Sequence, residues 1–204
     1  PEGDKYKLTP VSAHVGVNDD PANLKAVINA ARVLGYKYIV SGLPDWNMKS
    51  SADGYRKAVQ ILGKGAKALA EADLTYCYHN HSFEYDKFEG GVTGMDILYG
   101  HKDPAFNAEL DVYWVQHGHA DPVAWINKLS GRVPLLHIKD MVKNDTRGFA
   151  EVGTGTVNFK AILKAAPAAG VKYLIVEQDS SWINGDALAS AELSLNNLKK
   201  LVAG

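Results

Sequence analysis

The sequence predicts a (β/α)8 TIM barrel, with about six of its β/α units in this chain, on three observations. Strand-like apolar runs alternate with amphipathic helical patterns from end to end, no flexible linker divides them, and four successive runs finish in residues able to bind a divalent metal. Continuous apolar strands between helices indicate a parallel sheet covered by helices. Chemistry at the C-terminal end of nearly every strand is how a barrel builds a site, whereas a doubly wound open sheet gathers its ligand at one switch point.

The elements follow in order. Residues 11–17 (VSAHVGV) read as the first strand. Asp20 then caps a helix with Pro21 at its first position and Gly35 as its stop. YKYIVSGLP is the second strand, and residues 51–72 form a helix with Val59, Leu62, Ala66 and Leu69 at helical spacing. LTYCYHNH (residues 74–81) is the third strand, followed by a short helix at 94–99. FNAELDVYW (106–114) is the fourth, followed by a helix at 122–129 capped by Asp121. VPLLHIKD (133–140) leads through a long loop holding EVGTGTVNF to a helix at 159–169, and KYLIVEQD (172–179) leads to a last helix at 187–202. Barrels of this type have about 250 residues, and the chain opens almost at once on a strand. The expectation is one N-terminally incomplete barrel domain over residues 1–204, with about 60 further residues upstream forming the first two units. The strands at 11–17 and 172–179 would then have open edges.

Composition narrows the function. Of the 204 residues 46% are hydrophobic, enough for a sizeable core, and 22 basic residues nearly balance 23 acidic ones. With no basic block, nucleic acid is not the expected partner; a small molecule is. No run approaches the roughly 20 apolar residues of a membrane span. The single cysteine, Cys77, allows no internal disulfide. A cytoplasmic protein without a membrane partner is expected, with homo-oligomerisation open.

Side chains alternate along a strand, so residues i and i+2 share a face. Glu109 and Asp111 form such a pair, as do His137 and Lys139, Glu177 and Asp179, and His79 and His81. A lone His at a strand end is more often a hydrogen-bonded core residue, and Asp140 and Asp179 could serve as caps or turn residues. Four successive strands ending this way need a different explanation, because a desolvated charge without a partner is costly and a shared ion supplies one. Asp111, His137 and Glu177 offer an O,N,O set suited to one Mn²⁺, Mg²⁺ or Zn²⁺ with positions left open. The fourth ligand is His79 or Glu84. His14, late in its strand, and His81, Glu84, Trp114 and His117 are the expected substrate contacts, and Trp46 and Trp182 are further stacking candidates. The EVGTGTVNF loop offers backbone N–H groups to a phosphate or hydroxyl.

VSAHVG, YHNHSFEY, ELDVYWV, HIKD, EVGTGTVNF and VEQD, in that order, resemble the xylose isomerase-like TIM barrel superfamily, and within it proteins named sugar phosphate isomerases/epimerases. The resemblance covers nearly the whole chain. It implies one divalent metal held by Asp111, His137 and Glu177, with His79 standing where ketose epimerases place a Glu. The YHNH version resembles inositol-catabolism dehydratases and enzymes acting on 3-keto-sugars at least as much. The leading expectation is a metal-dependent sugar or sugar phosphate isomerase/epimerase working through an enediolate. Glu177 is its base, His79 or Glu84 stands opposite, and Lys139 neutralises developing charge. The alternatives are a lyase or dehydratase acting on a keto-sugar or keto-inositol, and a non-catalytic sugar-binding barrel.

Overall fold

The computed structural model describes residues 5–204. The described residues form two compact units: one combines the chain up to His79 with Asp86–Ala108, the other combines Asn80–Tyr85 with Glu109–Gly204.

In the first unit the strands β1 (Ser12–His14), β2 (Tyr38–Ser41) and β3 (Thr75–His79) pair in parallel, with Val40 opposite both His14 and Cys77. Helix α1 (Pro21–Leu34) is built by the expected signals: the Asp20 carboxylate accepts the Ala22 N–H at 3.0 Å, and Gly35, at φ +83°, donates its N–H to Ala31. Ser51 caps α2 (Ala52–Glu71), whose buried stripe Tyr55, Ala58, Leu62, Ala66 and Leu69 repeats at helical spacing. A Thr93–Asp96 capping box opens α3 (Gly94–Gly100).

The second unit carries the end of β4 (Phe106–Asp111), which pairs in parallel with β5 (Leu135–Ile138), and β5 in turn with β8 (Tyr173–Val176). Its helices are α4 (Val112–His117), α5 (Pro122–Lys128), α6 (Phe159–Ala169) and α7 (Ala187–Ala203). β5 is buried throughout, whereas Tyr173 of β8 is 43% exposed. β8 has no second strand neighbour among the described residues.

The parallel strands are all shorter than the runs that predict them, and three of the ends have a local account. The fourth run stops at Asp111 because its Oδ1 accepts the Trp114 N–H at 2.9 Å, an N-cap that turns VYWVQH into α4. Trp114 is therefore helical. β8 ends at Val176, placing Glu177 and Asp179 just beyond the strand. The fifth run breaks at Lys139, after which β6 (Asp140–Met141) leaves the sheet and pairs antiparallel with β7 (Phe149–Ala150).

Asp140 organises the loop that follows. Its buried carboxylate accepts four backbone N–H groups: Met141 and Val157 at Oδ1, 2.8 and 3.0 Å away, and Gly153 and Gly155 at Oδ2, 2.9 and 2.8 Å away. A side chain at Gly155 would put Cβ 2.1 Å from the Met141 carbonyl oxygen, so only glycine allows this approach. These N–H groups of the EVGTGTVNF loop are thus engaged by a side chain of the protein itself.

Candidate metal centre

The second unit brings together three residues expected to bind metal. Asp111 and His137 are register partners across β4 and β5, so their side chains leave the sheet side by side. Glu177, one residue past β8, completes the group. One ligand atom from each of the three lies within 4.8 Å of the others. His137 Nδ1 stands 3.0 Å from Glu177 Oε2 and 3.6 Å from Asp111 Oδ2. The opposite ring nitrogen, Nε2, is 3.2 Å from Oε2 of Glu109.

Lys139, two residues on from His137, projects to the same place. Its buried ammonium lies 2.5 Å from Glu177 Oε2, 3.0 Å from Asp179 Oδ2 and 3.3 Å from Asp111 Oδ2, and 5.9 Å from the centre of the Trp114 ring. Trp114 belongs to an aromatic group in which His81 lies 5.5 Å away, His117 5.2 Å and Phe149 5.9 Å between ring centres, with His81 stacked on Phe83. Two expected substrate contacts, His81 and His117, therefore each adjoin a third, Trp114. Burial, followed by the charges of Arg147 and His119, holds the His117 pKa below its ordinary value.

Charge balance explains how so many ionisable groups share this volume. Burial opposes the charged form of His137, but its contacts with Asp111, Glu109 and Glu177 outweigh burial and push its pKa up to about 11. Lys139 is likewise desolvated, and Asp111, Glu177 and Asp179 raise its pKa. The His137 contact holds Glu177 well below the usual carboxylate range against partial burial, with Lys139 adding to the effect. A pH dependence follows. The contribution of His137 is complete below its unfolded pKa of about 6.5 and is lost as pH rises toward the folded value. The stability deficit of His137→Gln, measured by urea unfolding of the metal-free protein, should thus be larger at pH 6.5 than at pH 9. An equal deficit at both would mean that the imidazole is uncharged in the fold.

Glu84 lies outside the Asp111–His137–Glu177 cluster. It is fully buried and accepts the His81 N–H at 2.8 Å, so it holds the turn after Asn80. In the first unit, His79 ends β3, almost fully buried, and meets the His14 ring edge-on at 5.0 Å. Trp46, 58% exposed, stacks under the Lys49 ammonium at 3.8 Å.

Two contributors were not among the expected site residues. Glu109 was legible as the same-face partner of Asp111, but its contact with His137 was not. Asn80 has no periodicity to reveal it. Its Oδ1 accepts the Asp111 N–H at 3.0 Å and its Nδ2 donates to the Asp111 carbonyl at 3.3 Å, so the amide fixes the backbone of a proposed ligand. Asn80→Ala should cost about 2 kcal/mol, because it strands a buried N–H and C=O. Chemical denaturation gives the value, and a loss below about 0.5 kcal/mol would deny Asn80 this role.

The sequence pattern of the xylose isomerase-like TIM barrel family matches residues 17–201. The chain belongs to that family. No curated protein sequence matches it. Solved structures resemble this family member in fold. A sugar phosphate isomerase/epimerase from Parabacteroides distasonis aligns over 98% of this chain and 73% of its own, with TM-score 0.81 and 24% identity. IOLI protein with a binding zinc atom aligns over 98% and 80%, with TM-score 0.74 and 14% identity. L-ribulose 3-epimerase aligns over 98% and 77%, with TM-score 0.68 and 19% identity. The xylose isomerase-like fold thus carries a side-chain cluster that could hold a metal. The donor set suits one: two carboxylates and an imidazole nitrogen converge, while the other imidazole nitrogen is held by a buried carboxylate. Among the described residues, no helix is long and apolar enough to cross a membrane.

Proposed function

We propose that the chain is a metal-dependent isomerase or epimerase acting on a sugar or sugar phosphate. The observation that carries this reading is the convergence of Asp111, His137 and Glu177 beside Lys139. Kinship with sugar isomerases and epimerases supports it, as does the zinc in one structural neighbour.

Asp111, His137 and Glu177 would hold one Mn²⁺, Mg²⁺ or Zn²⁺. A bound divalent ion would supply positive charge that polarises a carbonyl and its neighbouring hydroxyl and stabilises an enediolate. Glu177, held ionised by its neighbours, accepts the proton leaving the carbon between those two oxygens. A second acid returns a proton to the same carbon for an epimerase or to its neighbour for an isomerase. Lys139 donates to a substrate oxygen as it gains charge, and Asp179 holds the ammonium in place. His81, Trp114 and His117 provide a face for the apolar side of a sugar ring. One cysteine and nearly balanced charge are compatible with a cytoplasmic setting.

The test is exchange of carbon-bound hydrogen with D2O, followed by NMR across a panel of ketopentoses, ketohexoses and their phosphates, with Mn²⁺ or with a chelator. Metal-dependent exchange accompanied by an epimer or aldose product is expected. Exchange followed by loss of water would make the protein a lyase. Sugar binding without exchange would make it a binding protein.

A further inference from the structure

We infer that Glu109 is a positioning residue for the metal centre: it holds the Nε2 edge of His137 so that Nδ1 is the atom presented to the ion. The inference rests on the metal-binding reading above and extends it to a residue that touches neither the proposed ion nor the substrate.

Geometry carries it. Glu109 and Asp111 lie two residues apart on β4 and so share a face, and Asp111 is the register partner of His137. The His137 ring therefore stands between two carboxylates of one strand. Its Nε2 faces Glu109 Oε2 at 3.2 Å, and its Nδ1 faces Glu177 Oε2 at 3.0 Å and Asp111 Oδ2 at 3.6 Å. Turning the ring over would put Cε1 where Nε2 meets Glu109 and Cδ2 where Nδ1 meets Glu177 and Asp111, so both contacts would be lost together. The Glu109 side chain is fully buried. A buried carboxylate is retained only where a donor or cation compensates its desolvation, and the Nε2–H of a metal-bound imidazole remains a donor to it. Partners of this kind fix the tautomer and orientation of a ligating histidine and make it more basic.

Zinc is the probe. Its affinity for the purified protein is measured by competition with a chromophoric chelator, for the parent, Glu109→Leu, Glu109→Gln and His137→Gln. Glu109→Leu removes the acceptor and is expected to weaken zinc binding by about 10- to 100-fold. Glu109→Gln keeps an acceptor oxygen at nearly the same place and should recover much of that loss. Should Glu109→Leu fail to fold, the parent alone decides. With histidine labelled with ¹⁵N and zinc bound, the His137 spectrum should show a protonated Nε2 and a metallated Nδ1. A metallated Nε2 would overturn the proposal, as would parent-like affinity in Glu109→Leu, or equal losses in the Leu and Gln variants. A parent that binds no zinc would overturn the metal-centre reading itself, and this proposal with it. A parent that binds, with His137→Gln weakened but Glu109→Leu unaffected, would overturn only the role of Glu109.

Discussion

Glu177→Gln is expected to leave the protein folded and to lower solvent exchange of the substrate proton by at least about a thousandfold. General acid–base catalysis by one positioned group contributes about 10²- to 10⁴-fold, and Glu177 is also a proposed metal ligand, so both effects act together. The fold should tolerate the change because glutamine has nearly the same volume and the side chain is 42% exposed. The cost falls on the cluster: Lys139 and His137 each lose a carboxylate oxygen, 2.5 and 3.0 Å away. Exchange kinetics under saturating metal, with a thermal melt in parallel, separate the effects. A variant with near-parental exchange would place the base elsewhere.

Asp140→Ala is expected to be the most destabilising single change outside the apolar core. Four backbone N–H groups converge on this carboxylate at 2.8–3.0 Å. Each buried donor left without an acceptor costs about 1–3 kcal/mol. Met141 and Val157 are buried and the two glycine contacts only partly so, which makes the expected loss at least about 2 kcal/mol from a stability that is typically about 5–15 kcal/mol. Asp140→Asn is the sharper test because it is nearly isosteric. Two N–H groups point at each carboxylate oxygen, so either orientation of the amide sets its NH2 against two donors, and a loss of at least about 2 kcal/mol should remain. A urea midpoint giving less than about 0.5 kcal/mol for Asp140→Asn would mean that the loop is held by something else.

These two residues also mark what the sequence discloses and what it conceals. Glu177 stands out because an apolar run ends in it, as other runs end in Asp111 and His137. That repetition expresses a shared site through one-dimensional order. The helices were legible for the same kind of reason: Asp20, Asp121 and Gly35 act locally, and their structural roles match their sequence signals. By sequence alone Asp140 has the position of a cap or turn residue. Its actual partners lie 13 to 17 residues away, apart from Met141, and no local pattern reports such a cradle. The glycines of EVGTGTVNF suggested an anion site, and an anion is there, but it is the chain's own carboxylate. The end of the fourth strand was misplaced because LDVYW is apolar enough for either state. The Asp111 carboxylate decides it by capping α4 through Oδ1, while Oδ2 faces Lys139 and His137. Asn80 is hidden for a related reason: its amide substitutes for a backbone partner of Asp111, a role without periodicity.

Anomalous diffraction from crystals grown with zinc tests the central claim most directly. The expected result is a single ion within about 2.0–2.3 Å of a carboxylate oxygen of Asp111, Nδ1 of His137 and a carboxylate oxygen of Glu177, with Lys139 drawn off toward Asp179. Zinc held elsewhere, or no ion with the Lys139 ammonium still among the three carboxylates, would contradict it.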